Sequence, residues 1–227
     1  IFAAAILKGM NLKKSLVLVA IILIIDQVSK IYIKTHFTYN ESFEILSWFE
    51  FVFIENSGAA WGTKLSDFLP ISEETGKLIL TVFRLFAVIG IGYWLFDTVK
   101  RKLPKTLAIA VALIFAGALG NIIDSVFYGL MFDESVYGGP IATLFSDQPY
   151  GSIFHGKVVD MLHFPFIENA IWPEWVPYFG GKTFSFFEPV FNIADMAIST
   201  GVGILLVFNK KAFAKPELEL EEESQNL

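Results

Sequence analysis

The sequence predicts an all-α membrane protein: four transmembrane helices with a small extracytoplasmic β-sheet and loop cap. Three observations carry this reading. Of 227 residues, 54% are hydrophobic and 16% aromatic, with a mean hydropathy of +0.57, which is more apolar than an ordinary soluble domain. Four apolar stretches, about 15–34, 77–98, 105–128 and 189–208, are long enough to cross roughly 30 Å of hydrocarbon at about 1.5 Å per residue. Basic residues cluster at Lys13-Lys14, at Lys100-Arg101-Lys102 with Lys105, and at Lys210-Lys211, while the loops 35–76 and 129–188 hold few. The positive-inside rule therefore places both termini in the cytoplasm and both long loops outside.

Residues 1–9 precede Met10-Asn11-Leu12-Lys13-Lys14, which reads as a native start, so they are expected to be an appended remnant. Residues 10–215 are expected to form a single membrane domain. The segment 216–227 contains Glu217, Glu219, Glu221, Glu222 and Glu223 and reads as a disordered acidic tail. That tail supplies most of the net charge of -6, and nothing in the remainder points to nucleic acid. The first apolar run is not a cleaved signal peptide, because it continues past Asp26 with no small-residue cleavage site. Phe43–Ile54 is aromatic and β-branched without Gly or Pro, favouring extended structure in the first outer loop. In the second outer loop, Trp172, Trp175, Tyr178, Phe179, Phe184, Phe186 and Phe187 read as interfacial anchors rather than as the cover of a groove.

The chemistry is narrowed by composition. The chain has no cysteine, and His36, His155 and His163 are scattered without metal-ligand spacing, so neither thiol nor metal chemistry is expected and no cofactor is implied. Polar side chains inside spans require a reason, since each costs several kcal/mol unless it faces protein or water. Counted from the basic ends, Asp26, Asp124 and Asp195 all fall in the outer half of the membrane. Asn121 precedes Asp124 by three residues and Asn192 precedes Asp195 by three, so each pair shares a helix face. On these grounds alone Asp124 pairs best with Asp195. Hydrolysis by a water held between two carboxylates that share a proton is the solution this residue set leaves.

The motifs Asp26-Gln27-Val28-Ser29-Lys30, Asn56-Ser57-Gly58-Ala59-Ala60-Trp61-Gly62, Gly120-Asn121-Ile122-Ile123-Asp124, Val158-Val159-Asp160 and Phe191-Asn192-Ile193-Ala194-Asp195 occur in that order. Together, over about residues 11–208, they strongly resemble the bacterial lipoprotein signal peptidases (signal peptidase II). The resemblance implies an intramembrane aspartic endopeptidase of the bacterial inner membrane. Its implied substrate is a diacylglyceryl-modified prolipoprotein, cut before the lipidated cysteine, with membrane lipid and globomycin-type inhibitors as further partners. It implies that Asp160 and Asp195 form the catalytic dyad, displacing Asp124 from the pairing that spacing alone gives. Asp26, Lys30, Asn56, Gly58, Asn121, Asp124 and Asn192 become supporting or substrate-contacting residues, with Lys30 meeting acidic groups near the outer surface. Two departures stand out. The family commonly has an arginine after the GNxxD aspartate, where this chain has Ser125, and an insertion of roughly 130–157, read as a surface loop, separates Asp124 from Asp160. A transporter or channel with an intramembrane acidic pocket is the main rival, weakened by the gathering of polar residues at one depth.

Overall fold

The computed structural model describes residues 10–57, 63–186 and 189–214; the expected remnant 1–9 and acidic tail 216–227 lie outside them. Three helices are long and apolar enough to cross a membrane. Helix α1, Leu12–His36, starts at Asn11, whose side chain accepts from Lys14 N at 2.9 Å. Helix α2, Glu73–Lys100, is capped by Ser72 and carries Glu73 and Glu74 in its first turn and Lys100 in its last, matching its dipole. Helix α3, Lys105–Ile123, follows Pro104 and runs on through a π-helical stretch, Asp124–Tyr128, and a final turn, Gly129–Met131.

The fourth apolar run behaves differently. Its helix, α4, spans Ile193–Val207, and the four-residue turn α5, Asn209–Ala212, follows. Expected over 189–208, the helix begins later because Asn192 caps it: its Oδ1 accepts from Asp195 N at 2.9 Å, while Asp195 Oδ2 accepts from Asn192 N at 3.3 Å.

Helix α3 is central. Small residues line its packed faces, with Ala108, Ala110, Ala112 and Ala116 all buried, allowing α1, α2 and α4 to approach. Two of its glycines permit close contacts. A Cβ at Gly117 would lie 2.1 Å from Ala194 O, and one at Gly120 would lie 2.7 Å from Asp26 Oδ2. The outward faces expose Ile24, Val28, Phe83, Phe86, Tyr93 and Leu206, a band of apolar surface suited to lipid.

The expected small sheet has three strands. Strands β1, Ser42–Leu46, and β2, Phe49–Asn56, form a hairpin over Phe43–Ile54, the segment expected to be extended. The third, β3, is Val158–His163, antiparallel to β2 with Ile54 opposite Asp160 and Asn56 opposite Val158. Phe191 then bridges to Leu162, exchanging backbone hydrogen bonds at 2.7 and 3.0 Å. That bridge brings the start of α4 beside β3. Beneath the sheet, Ile33, Phe53, Tyr128, Phe132, Val159 and Met161 form one buried cluster. A second sheet, β4 (Ile167–Ile171) and β5 (Thr183–Phe186), occupies part of the aromatic-rich loop. Trp172 stacks on Phe184 with centroids 4.5 Å apart, whereas Trp175 and Tyr178 are exposed.

The insertion is a surface element with a buried root. Phe132, Ser135 and Ala142 are buried, and the chain returns against α3 by donating from Phe154 N to Val126 O at 3.0 Å and from Gly156 N to Ser125 O at 2.9 Å. The π-helical stretch explains why those carbonyls are open to it: widening the turn takes them out of the ordinary helical ladder.

Candidate active site

Asp26, Lys30, Asn121, Asp124, Asp160, Asn192 and Asp195 converge in one hydrogen-bonded cluster where α1, α3, β3 and the start of α4 meet. Its inner half centres on Lys30. The ammonium lies 2.9 Å from Asp26 Oδ2 and 2.9 Å from Asp124 Oδ2, all three side chains fully buried, and donates to Asn121 Oδ1 at 2.9 Å. Lys30 thus meets acidic groups, buried in the protein interior. Asp26 also accepts from Ala194 N at 2.9 Å, satisfying an open amide in the first turn of α4.

The outer half contains Asp160 and Asp195. Asn192 Nδ2 donates to Asp160 Oδ1 at 2.7 Å and lies 3.1 Å from Asn121 Oδ1. Asn121 Nδ2 donates to Asp195 Oδ1 at 2.8 Å. The two asparagines therefore bridge the two carboxylates, and one oxygen of Asp160 is left without a hydrogen bond among the described residues. Burial, and then the charge of Asp195, push the Asp160 carboxyl up to about 7.

Asp124, the partner that spacing alone favours for Asp195, is engaged elsewhere. Its oxygens are taken by Lys30, by Gln27 Nε2 at 2.9 Å and by Val159 N at 3.3 Å. It holds β3 against α3. Asn56 lies at the end of β2 opposite Val158, two residues from Asp160. Gly58, with the rest of 58–62, lies outside the described residues. Ser125 is buried and donates its hydroxyl to Asn121 O at 2.9 Å, closing its turn rather than reaching the aspartates.

Sequence reasoning missed three contributors. Gln27 donates to Asp124 and accepts from the Tyr128 hydroxyl at 3.1 Å. Arg84 lies half-buried on α2, a charged side chain within an apolar span. For both Gln27 and Arg84 the available signal was a polar side chain within an apolar span. A second buried centre was missed entirely: Lys34, bonded to Glu55 and, at 2.7 Å, to Ser135 Oγ. A surface cavity of about 290 Å³, bordered by Lys64, Lys77, Tyr150 and Lys157, lies at the N-terminal end of α2 and is lined by neither Asp160 nor Asp195. Among the described residues no group of His, Asp or Glu side chains is disposed to hold a metal ion.

Residues 18–210 match the family model described as signal peptidase (SPase) II. A lipoprotein signal peptidase of Porphyromonas gingivalis is 44% identical over 193 residues, covering 84% of this chain and 80% of the relative. One from Amoebophilus asiaticus is 30% identical over 202 residues, covering 87% and 78%. The fold resembles a solved structure described as a bacterial membrane enzyme, with a TM-score of 0.57 and 24% identity over 90% of this chain and 97% of that one. The chain belongs to the signal peptidase II family.

Proposed function

We propose that this peptidase is an intramembrane aspartic endopeptidase that removes signal peptides from diacylglyceryl-modified prolipoproteins, with Asp160 and Asp195 as its catalytic pair. The carrying observation is the bridge between these carboxylates through Asn192 and Asn121, beside a buried Asp160 with one oxygen unengaged among the described residues. Near neutral pH such a pair shares one proton. The ionised member takes a proton from water as it attacks the carbonyl, and the protonated member donates to the leaving amine. The asparagines keep both carboxyl groups in reacting orientation. Asp26, Lys30 and Asp124 hold α1, α3 and α4 around them, and Asn56 and Gly58 belong to the segment that would receive the extended substrate. The bond cut is the one before the lipidated cysteine, with the diacylglyceryl chains in the surrounding lipid, and globomycin-type peptides compete for the same groove.

In this reading α4 with α5 makes the fourth span of a single domain, residues 10–215. Both termini are cytoplasmic and the pair lies near the outer face, as the basic flanks of the spans indicate. Cleavage of a diacylglyceryl-modified prolipoprotein by the natural sequence, and loss of turnover in folded Asp160→Asn and Asp195→Asn, is the expected result. Near-natural turnover by either variant would overturn the assignment.

A further inference from the structure

The β2–β3 ladder that carries Asp160 ends at the pair Asn56 and Val158. The residues just beyond that pair, Ser57 and Lys157, both border the cavity of about 290 Å³ at the N-terminal end of α2. Lys157 lies three residues from Asp160, which is about 10 Å along an extended chain. A peptide held beside this ladder with its cut bond at Asp160 therefore reaches the cavity about three residues from the cut. The insertion supplies one wall of the cavity through Glu134 and Lys157, and α2 supplies another through Glu73, Glu74 and Lys77. On the proposed topology this end of α2 faces the outer aqueous phase.

The lining decides which side of the cut the cavity serves. With Lys64, Lys77 and Lys157 set among three glutamates, it offers nothing to an apolar signal peptide, whereas the polar chain after the lipidated cysteine can meet charge with charge. Two of the lysines are engaged: Lys64 lies 2.9 Å from Glu73, and Lys157 lies 2.8 Å from Glu134 and 3.4 Å from Glu55. Lys77 makes no ion pair among the described residues and is half-buried, while Glu74 beside it is exposed. A half-buried ammonium is stabilised by a carboxylate that a ligand brings to it. We propose that this cavity receives the mature segment of the substrate and that Lys77 selects an acidic side chain about three residues beyond the cut. The inference rests on the reading of Asp160 and Asp195 as the catalytic pair of a prolipoprotein peptidase. It gives the insertion a task as well, which is to close the far wall of a subsite for the product that leaves toward water.

The test is cleavage in detergent of one diacylglyceryl-modified prolipoprotein carrying aspartate, asparagine or lysine at the second to fourth positions after the lipidated cysteine, by the natural sequence, Lys77→Gln and Lys77→Glu. The natural sequence is expected to favour the aspartate substrate over the lysine one by about fivefold in kcat/KM, carried by KM, as a partly exposed ion pair gives. Lys77→Gln is expected to level the series and Lys77→Glu to invert it, an exchange that a loss of packing cannot produce. Should Lys77→Glu fail to fold, Lys77→Met carries the levelling readout. Equal cleavage of the three substrates by the natural sequence, or an aspartate preference that survives in a folded Lys77 variant, overturns this inference alone. The same series in nanodiscs of phosphatidylcholine with and without phosphatidylglycerol separates the other occupant: a Lys77 effect that follows the anionic lipid and not the substrate marks a headgroup site and overturns the peptide reading. No cleavage of any of the substrates by the natural sequence overturns the prolipoprotein reading, and this inference with it.

Discussion

Lys30 and Lys34 lie one turn apart on α1, both with fully buried side chains, and they are compensated in opposite ways. Lys30 faces two carboxylates and an asparagine, in a cluster that carries more acid than base. Lys34 meets Glu55 and Ser135 and is otherwise enclosed by aromatic rings, with Phe132, Tyr150 and Phe53 centroids 5.0, 5.3 and 5.6 Å from its nitrogen. The first centre joins α1 to α3 and, through Asp26, to α4. The second joins α1 to β2 and the insertion, reinforced by Lys157, 3.4 Å from Glu55 and 2.8 Å from Glu134. The residues proposed to cleave substrate sit in the charge-unbalanced centre, and the balanced one fastens the outer sheet. A buried charge can thus serve chemistry where it is left in excess, and architecture where it is neutralised and covered.

The comparison breaks most readily at Lys30. Lys30→Met leaves Asp26 and Asp124 buried together without their cation, a change that costs about 3–5 kcal/mol. Thermal unfolding in detergent should show the loss, and adding Asp124→Asn should recover part of it. An unchanged melting temperature for Lys30→Met would mean the inner acids are neutral already.

Asp160 sharpens the contrast through pH. Its carboxyl is raised from 3.8 to about 7, so the folded chain holds a proton there that the unfolded chain has released. This contribution to stability is complete below about pH 4 and declines until about pH 7, by up to about 4 kcal/mol if none of the shift is screened. Asp160→Asn should therefore be inactive yet melt higher than the natural sequence at pH 8, with the difference shrinking toward pH 4. Equal melting temperatures at both pH values would contradict a raised carboxyl. Turnover should also fall as pH rises through about 7, when the pair loses its shared proton.

At the outer centre, Lys34→Met should cost about 2–3 kcal/mol, less than Lys30→Met, because Lys157 still faces Glu55. Cleavage should persist at temperatures where the variant stays folded. Abolished cleavage in a folded Lys34→Met would erase the proposed division between the centres. Ser135→Ala is the mildest change: it removes one hydroxyl between Lys34 and Glu55 and should lower stability by about 1 kcal/mol, read as a small shift in melting temperature.

The three long helices and the extended character of Phe43–Ile54 were legible because hydropathy and branched residues act locally. Asp26, Asn121, Asp124, Asn192 and Asp195 could be picked out by burial cost alone. Asp160 could not, since Val158–His163 is a strand only by virtue of β2, about a hundred residues earlier, and an isolated aspartate in a loop carries no signal. Spacing paired Asp124 with Asp195 because it sees helix faces and not the β3 amide that draws Asp124 away. Lys34 and Glu55 were hidden for a similar reason: each looks like an ordinary polar residue near the end of its element until the insertion folds over both.

Helix α4 covers only Ile193–Val207, roughly 22 Å at about 1.5 Å per residue against roughly 30 Å of hydrocarbon. On the proposed topology the chain just before α4 is nonhelical at membrane depth, where it survives only if protein supplies its backbone partners or a cavity wets it, and the β3–Phe191 bridge supplies such partners. The consequence is one of supply. Each bond cut consumes a water molecule inside a medium that holds almost none, and on the proposed topology the sunken start of α4 is the floor of a well. Water can descend it from the outer aqueous phase to Asp195 while a lipid-anchored chain slides in sideways.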